Sequence, residues 1–194
     1  LMLRDGQHWE SIDPVKAVAA VFGRNINIET LSTQPWAAHA LTAKKYSKGR
    51  AFLVGDAAHL FTPTGGFGMN TGVSDAIDLA WKIQAMLEGW GGTHLLDTYS
   101  TERQPIGLRN TMEAADCFNR LSNVMKYGDE LDLDTIEGER IRNGLAVDLK
   151  DQEKLISSSG TLLGYRYANS PIIIADGSPE PADDPRTYIP VARP

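Results

Sequence analysis

The residues best placed to do chemistry are an aspartate and a set of closely spaced glycines near the middle of the chain. Asp56 follows Gly55 at the end of a short apolar run, and an ionised carboxylate accepts hydrogen bonds from ligand hydroxyl groups. Residues 63–70 form a glycine-rich loop at a predicted helix start, where backbone N–H groups and the helix dipole favour negative charge. The spacing therefore predicts a site for a ligand that carries both hydroxyl groups and negative charge.

The elements around this site are predicted to be a strand before the loop and a helix after it. Residues 50–54 are apolar without polar alternation, which predicts a strand buried on both faces. A helix is predicted from about residue 69 to residue 88, because apolar residues recur there at spacings of three and four and would pack against a sheet. These apolar residues are Val73, Ile77, Ala80, Ile83 and Leu87, and Trp81 is also expected in the core.

The segments before the strand are predicted to form a helix and two strands. An apolar face between Pro14 and Gly23 predicts a helix over residues 14–23. Apolar residues that alternate with polar ones predict a strand over residues 26–33, and a second strand is expected over residues 36–45.

The segments after the glycine loop are predicted to be mostly helical. A helix that starts over residues 95–99 is expected to be interrupted near Pro105, and a long helix should follow over residues 106–126. Another helical stretch is predicted over residues 134–158. Its candidate core positions are Ile136, Ile141, Leu145, Leu149 and Leu155. Residues 160–167 and 171–175 look extended, and a proline-rich arm without helix follows them.

Charge and cysteine content exclude several classes of protein. The chain has 194 residues and a formal net charge of -6, which argues against nucleic acid or an anionic membrane as a partner. It contains no apolar run long enough to predict a membrane span. Cys117 is the one cysteine, so no disulfide can form within the chain, which fits a reducing cytoplasmic compartment.

Metal binding is not predicted. The four histidines have no metal-ligand spacing, and an acidic run after residue 128 lacks the spacing of an EF-hand loop. That run is expected to be a solvated loop and a first helical turn. It comprises Asp129, Glu130, Asp132, Asp134, Glu137 and Glu139.

Four motifs follow one another in fixed order between residues 55 and 105. They are G-D-A-A-H at 55–59, P-x-x-G-x-G-x-N at 63–70, D-A-x-x-L-x-W-K at 75–82 and Y-x-x-E-R-x-P at 99–105. Together they resemble the class A FAD-dependent aromatic hydroxylases, the monooxygenase family similar to para-hydroxybenzoate hydroxylase and phenol hydroxylase. Residues 163–172 and the tail from residue 184 also resemble the phenol hydroxylase-like branch.

The resemblance implies that the loop contacts FAD. Asp56 would accept hydrogen bonds from the ribityl hydroxyls, and Pro63 would lie against the isoalloxazine ring. The glycines would let the backbone approach that ring, and the amides near Met69 would face its pyrimidine edge. Phe67 departs from the glutamine of many relatives and would touch flavin or substrate, or only fill space. The complete set of expected contacts is Gly55, Asp56, Pro63, Gly65, Gly66, Phe67, Gly68, Met69 and Asn70. No catalytic residue is assigned.

The resemblance also implies a fold class, α/β (α+β as a fragment). The chain would be the C-terminal half of a Rossmann-like FAD-binding domain, with the end of a substrate-domain β-sheet and the helices that follow. The expected segments are residues 1–48 from the substrate domain, 49–127 from the FAD domain, and 128–194 as helices and arm. The first FAD motif, G-x-G-x-x-G, does not occur in this sequence. We therefore expect a piece of a longer protein that is inactive alone and binds FAD weakly or not at all.

The activity implied for the whole protein is hydroxylation of a phenolic or other aromatic substrate. NAD(P)H would reduce FAD, and O2 would then form a flavin C4a-hydroperoxide that transfers one oxygen atom to the ring. Two alternatives stay open. One is an epoxidase, halogenase or reductase of the same superfamily, and the other is a non-catalytic helical assembly module. The oligomeric state is left open, with a homodimer as one option because family members are often dimers.

Three polar residues of the motifs are expected to serve the structure. His59 should pack or form hydrogen bonds within the loop, and Glu102 and Arg103 should form an ion-pair or hydrogen-bond site rather than act as catalytic groups.

Overall fold

The computed structural model describes residues 8–167, 169–174, 177 and 179. Contacts divide the chain into two units, Leu1–Ala37 and Ala38–Pro194. In the first unit a short 3-10 helix at Trp9–Ser11 precedes helix α1, Pro14–Phe22. The Asp13 side chain accepts hydrogen bonds from two backbone amides at the start of α1, and this confirms the predicted helix.

The predicted strands at residues 26–33 and 36–45 are largely wrong. Residues 25–40 contain no strand, and only β1, Leu41–Thr42, forms in the second segment. Leu31 and Trp36 are 88% and 73% exposed. Alternating apolar residues form a strand only where a neighbouring strand supplies hydrogen bonds, and the described residues supply none along this stretch.

The second unit contains two small antiparallel pairs of strands. β1 pairs with β4, His59–Leu60, with Leu41 opposite Leu60. β2, Ser47–Lys48, forms a hairpin with β3, Ala51–Phe52. The predicted strand over residues 50–54 is therefore shorter than expected. It is also not buried on both faces, because Ala51 is exposed and Leu53 is 36% exposed.

Helix α2, Phe67–Leu87, begins two residues before its predicted start and buries the side opposite to the predicted one. Val73, Ile77 and Leu87 are 53%, 63% and 83% exposed. Trp81 is 37% exposed and stacks on Trp90 instead of entering the core. The buried residues of α2 are Phe67, Thr71, Asp75, Asp78, Leu79, Lys82 and Ala85.

Helix α3, Thr98–Met125, runs for 28 residues through Pro105. The predicted interruption there is wrong, and the helix follows a short 3-10 turn at Leu95–Asp97. Side chains on both sides of the proline are buried, including Arg103 before it and Asn110 after it. Tertiary contacts therefore hold both halves in line, although proline removes one helical hydrogen bond.

Three further helices follow a 3-10 turn at Asp129–Asp132. They are α4, Ile136–Asp151; α5, Glu153–Ile156; and α6, Ser159–Leu163. The helical stretch predicted over residues 134–158 is thus confirmed in outline, but α6 occupies the first part of the segment expected to be extended over residues 160–167. Ile136 and Leu149 are 88% and 52% exposed, so they are not core residues. Most of the proline-rich arm lies outside the described residues.

The core of the second unit consists of two apolar clusters. Tyr46, Ala58, Leu79 and Tyr99 form the first, which Phe52 and Val54 border. The second comprises Phe67, Ala114 and Cys117, and it lies between the start of α2 and the middle of α3. Both clusters are small, and much of the remaining buried side-chain volume is polar or charged.

The described residues contain neither a membrane-spanning helix nor a cluster of metal ligands. None of the helices described is long and apolar enough to cross a membrane. Within the same residues, no group of three or more His, Cys, Asp or Glu side chains is arranged to hold a metal ion.

Candidate functional site

The Gly55–Asp56 motif forms a tight turn after β3. Residues Gly55–Ala57 make one turn of 3-10 helix, closed by the Ala58 amide, which donates to the Gly55 carbonyl at 2.8 Å. Asp56 lies in this turn with its side chain exposed. The turn therefore presents the Asp56 side chain to solvent.

The glycine loop needs two residues in the left-handed region. Gly65 and Gly66 have φ values of 78° and 68°, which side chains other than glycine rarely adopt. A Cβ atom on Gly65 would also lie 2.2 Å from the Phe67 ring, whereas one on Gly66 would meet nothing within 4 Å. The space over Gly66 is thus open to a ligand.

The start of α2 leaves its backbone donors available. Gly66 is the N-cap residue, no side chain caps the helix, and no acidic residue lies in its first turn. The first amides of a helix have no partner within the helix, so they attract negative charge. The Asn70 side chain donates to the Gly66 carbonyl at 2.9 Å and holds the loop against the helix.

Contacts with α3 hold the rest of the glycine loop and the first residue of α2 in place. The Thr64 hydroxyl donates to the Ala114 carbonyl on α3 at 2.8 Å. Phe67 is 2% exposed and packs on Ala114 and Cys117, so its side chain supports the loop from the core. Pro63 and Met69, in contrast, are exposed, and Met69 is 79% exposed.

A fully buried carboxylate, that of Asp75 on α2, connects the G-D-A-A-H segment to both long helices. Its Oδ2 accepts a hydrogen bond from the Gly55 amide at 3.2 Å and another from His59 Nε2 at 2.7 Å. Its Oδ1 accepts from Arg103 Nε at 2.8 Å. His59 therefore has the structural role expected from the sequence, although its partner lies on α2. The other ring nitrogen of His59 has no hydrogen-bond partner among the described residues.

A second buried charge cluster lies one turn further along α2. Lys82 donates to Asp78 at 2.6 Å and also to Glu102, which in turn accepts a hydrogen bond from Ser170. Burial raises the pKa of Asp78 more than the hydrogen bond and charge of Lys82 lower it. This cluster joins α2, α3 and the segment near Ser170.

The Y-x-x-E-R motif holds these elements together. The Tyr99 hydroxyl donates to the Leu53 carbonyl at 2.7 Å, next to β3. Arg103 donates to Asp75 and also to the Tyr167 hydroxyl at 3.1 Å. Burial lowers the pKa of Arg103, but the Tyr167 and Asp75 contacts outweigh it and the net shift is upward. Glu102 and Arg103 thus have the structural roles that the sequence predicts.

Sequence reasoning missed the roles of Asp75, Gly72 and Gly107. A Cβ atom on Gly72 would lie 3.2 Å from the Gly55 Cα atom, and one on Gly107 would lie 1.9 Å from the Tyr46 hydroxyl. Both glycines therefore allow helix backbones to approach the motif closely. The sequence did carry a signal for the role of Asp75. This charged residue belongs to the same series of four motifs as His59 and Arg103, its two partners in the structure.

A cavity of about 430 Å³ lies beside the start of α2. Thr71, Arg103, Leu162 and Tyr165 are among its lining residues. Of the nine expected cofactor contacts, only Asn70 lines this cavity. The predicted contact surface therefore lies mainly on the exposed loop and not inside this cavity.

The family model described as FAD binding domain matches residues 15–114. The chain belongs to this FAD binding domain family. The match spans the glycine loop, all of α2 and the first half of α3. It confirms the family resemblance, and with it the α/β fragment of an FAD-binding fold.

Named family relatives agree with this assignment. The chain is 37% identical over 172 residues to a 4-methyl-5-nitrocatechol 5-monooxygenase of Burkholderia sp, a match that covers 87% of the chain and 27% of the relative. It is 31% identical over 187 residues to aklavinone 12-hydroxylase RdmE of Streptomyces purpurascens, with 94% and 31% covered.

A solved structure shows the same likeness. The chain superposes on the flavin-dependent monooxygenase PieE, solved in complex with FAD and substrate, with a TM-score of 0.70 and 36% identity. That match covers 79% of the chain and 29% of PieE. The chain spans about a third or less of the length of the curated relatives it matches.

Proposed function

We propose that this chain is part of a flavoprotein monooxygenase and contacts the flavin ring and ribityl chain of FAD. The observation that carries the proposal is the juxtaposition of two ligand-binding features within this family. One is the exposed carboxylate of Asp56, and the other is the uncapped, acid-free start of α2 after Gly66. The close approach of Gly55 to Gly72, in the second turn of α2, packs the turn that carries Asp56 against the same helix.

The residues present fit such a cofactor. Asp56 would accept hydrogen bonds from ribityl hydroxyls, and the exposed Pro63 would lie against the ring. The first amides of α2 would face the part of the ring that becomes negative on reduction. Phe67 would contribute only its backbone amide, because its side chain is buried. The full proposed set stays Gly55, Asp56, Pro63, Gly65, Gly66, Phe67, Gly68, Met69 and Asn70.

When bound, FAD would take electrons from NAD(P)H and use O2 to hydroxylate a small aromatic substrate. The chain's own residues would bind and orient the flavin and limit the access of water to it. The names of the nitrocatechol monooxygenase and of aklavinone 12-hydroxylase support the aromatic substrate. No catalytic acid or base is proposed within this chain.

Three further features belong to the same proposal. A cytoplasmic location is supported by the absence of a second cysteine, since Cys117 cannot form a disulfide within the chain. A homodimer is proposed on the family resemblance alone. The division at residues 48 and 127 into substrate-domain, FAD-domain and helical segments also remains a proposal.

The visible absorption spectrum of a full-length protein that contains this chain tests the proposal. Purified without added cofactor, it should show a bound-flavin spectrum that NAD(P)H bleaches faster when a phenol is present. A colourless protein that cannot be reconstituted with FAD would contradict the proposal and favour a non-catalytic assembly module.

A matched pair of variants tests the contact surface. Asp56→Ala should weaken FAD binding by about 10- to 100-fold, because hydrogen bonds to a charged group are lost. Asp132→Ala is the control, since it also removes an exposed aspartate from a 3-10 turn. Equal FAD affinity of the two variants in a fluorescence titration would remove Asp56 from the proposed site.

A further inference from the structure

Asp75 has no exposed surface, so it cannot touch a bound ligand, yet its carboxylate reaches both ends of the G-D-A-A-H segment, residues 55–59. At one end it accepts the hydrogen bond of the Gly55 amide. At the other end it holds His59, whose ring packs edge-on against Phe61 at 4.7 Å between ring centroids. The Phe61 ring in turn lies 3.5 Å from the point where a Cβ atom on Gly68 would be.

The two oxygens of this carboxylate serve different parts of the fold. Oδ1 accepts from Arg103 and so makes the buried ion pair between α2 and α3. Oδ2 accepts from Gly55 and His59, both of which belong to the G-D-A-A-H segment. A carboxylate that only compensated the buried arginine would not need the second set of contacts. One of its two oxygens therefore binds the G-D-A-A-H segment alone.

The turn at Gly55, which Asp75 holds, lies very close to the backbone of α2. Gly72 lies one turn before Asp75 on α2, and a Cβ atom there would be 3.2 Å from the Gly55 Cα atom. The turn that carries Asp56 thus rests directly on the backbone of α2. A shift of a few tenths of an ångström at Gly55 would move Asp56 relative to the amides at the start of that helix.

We propose that Asp75 is a positioning residue for the proposed flavin site. It holds the Gly55–Ala57 turn against the backbone of α2 at Gly72, so that one flavin can meet both Asp56 and the amides at the start of that helix. The inference rests on the proposed function for its ligand, but the positioning itself is a property of the chain alone. The two parts can therefore be tested separately.

The first test measures backbone amide exchange by NMR in the whole chain. In Asp75→Asn, the Gly55 amide should exchange at least about tenfold faster than in the wild type after correction for global stability. The ring nitrogen signals of His59 should shift as well. Asp78→Asn is the matched control, because Asp78 is also buried on α2 but bonds to Lys82 and not to the loop. Equal behaviour of Gly55 and His59 in the two variants would overturn the proposal.

A second variant covers the case in which Asp75→Asn does not fold. Gly72→Ala leaves the buried charges intact and pushes the turn away from α2, because its Cβ atom would lie 3.2 Å from Gly55. It should also speed exchange at Gly55, by about tenfold, through loss of the Asp75 hydrogen bond. An unchanged Gly55 amide in this variant would contradict the proposal.

The third test uses the full-length protein with FAD. Asp75→Asn and Gly72→Ala should change the visible circular dichroism of bound flavin and weaken FAD binding by about tenfold, while Asp78→Asn should change neither. Wild-type protein that binds no flavin would defeat the proposed function, and the exchange experiment would still decide the role of Asp75. Flavin that binds identically in all variants would leave the proposed function standing and defeat the positioning role.

Discussion

Tyr46, His59 and Gly107 meet where α3 packs against the segment that carries His59. The Tyr46 hydroxyl is buried and has no hydrogen-bond partner among the described residues. It occupies the space where a Cβ atom of residue 107 would be, at 1.9 Å. Burial raises the pKa of Tyr46 well above its ordinary value, so the hydroxyl stays neutral. At this position packing, not hydrogen bonding, decides which side chain is tolerated.

This contact predicts a rescue between two substitutions. Gly107→Ala should lower the free energy of unfolding by about 1–3 kcal/mol through overpacking, although alanine favours a helix. Tyr46→Phe alone should change stability little, because the removed hydroxyl is unsatisfied. The double variant should recover most of the loss in urea denaturation. Strictly additive effects of the two substitutions would show that the hydroxyl is not the obstacle.

Asp78 predicts a pH dependence of stability. Its folded-state pKa is raised, chiefly by burial, so its contribution to stability is complete below the ordinary pKa of 3.8 and is lost as pH rises through the folded pKa. The other charged groups around it are Lys82, Glu102 and Arg103. Relative to Asp78→Asn, the wild type should therefore become less stable as pH rises above about 4. Chemical denaturation of both proteins across that range measures the difference, and a constant difference would disprove the shift.

At the level of elements, α2 shows what periodicity could and could not predict. The helix itself follows from apolar residues at spacings of three and four. Its buried side does not follow, because Asp75, Asp78 and Lys82 are polar, and sequence reasoning assigns polar residues to solvent. They are buried because each pairs with a residue more than fifteen positions away or one turn along. Such long-range pairing cannot be read from the pattern of one helix.

Helix α3 predicts a gain in stability on removal of its proline. Pro105 is exposed and interrupts the hydrogen bonds of a helix that packing holds straight on both sides. Pro105→Ala should raise the free energy of unfolding by roughly 1–2 kcal/mol. The restored helical hydrogen bond stabilises the folded chain, and the greater conformational entropy of the unfolded chain offsets part of that gain. Thr101→Ala, one turn earlier and also exposed, is the control and should change it by less than about 0.7 kcal/mol. A less stable Pro105→Ala variant would mean that the proline shapes the helix.

For the whole molecule, the motif order predicted more than the periodicity did. The sequence from Gly55 to Pro105 indicated the FAD binding domain family, which the family match confirms. It did not predict the extent of the short strands, because a strand depends on its pairing partner, and β1 pairs with β4 rather than with the residues next to it in sequence. The residues expected to contact flavin lie in the Gly55–Ala57 turn, in the loop before α2 and in the first turn of that helix, whose start is uncapped. The roles of those residues stay predictions until flavin binding is measured.

The exposed apolar side of α2 predicts that the chain associates with itself. Val73, Ile77 and Leu87 are each more than half exposed, and such surfaces promote association in water. Ile77→Lys should reduce concentration-dependent association in sedimentation velocity, with stability within about 0.5 kcal/mol of the wild type. Ala76→Lys is the control, since it adds the same charge at an exposed position on α2. Equal reduction by both would assign the effect to net charge.

The packing of Cys117 against Phe67 has a practical consequence. The thiol is 1% exposed, in the same cluster as the first residue of α2. A maleimide reagent can reach it only when that cluster opens, and opening of the cluster also releases the inner support of the glycine loop. Because the chain has no second cysteine, the rate of maleimide labelling would report how often this cluster opens and the glycine loop loses its support. A ligand that stabilises the loop should lower the labelling rate, even one without colour or fluorescence.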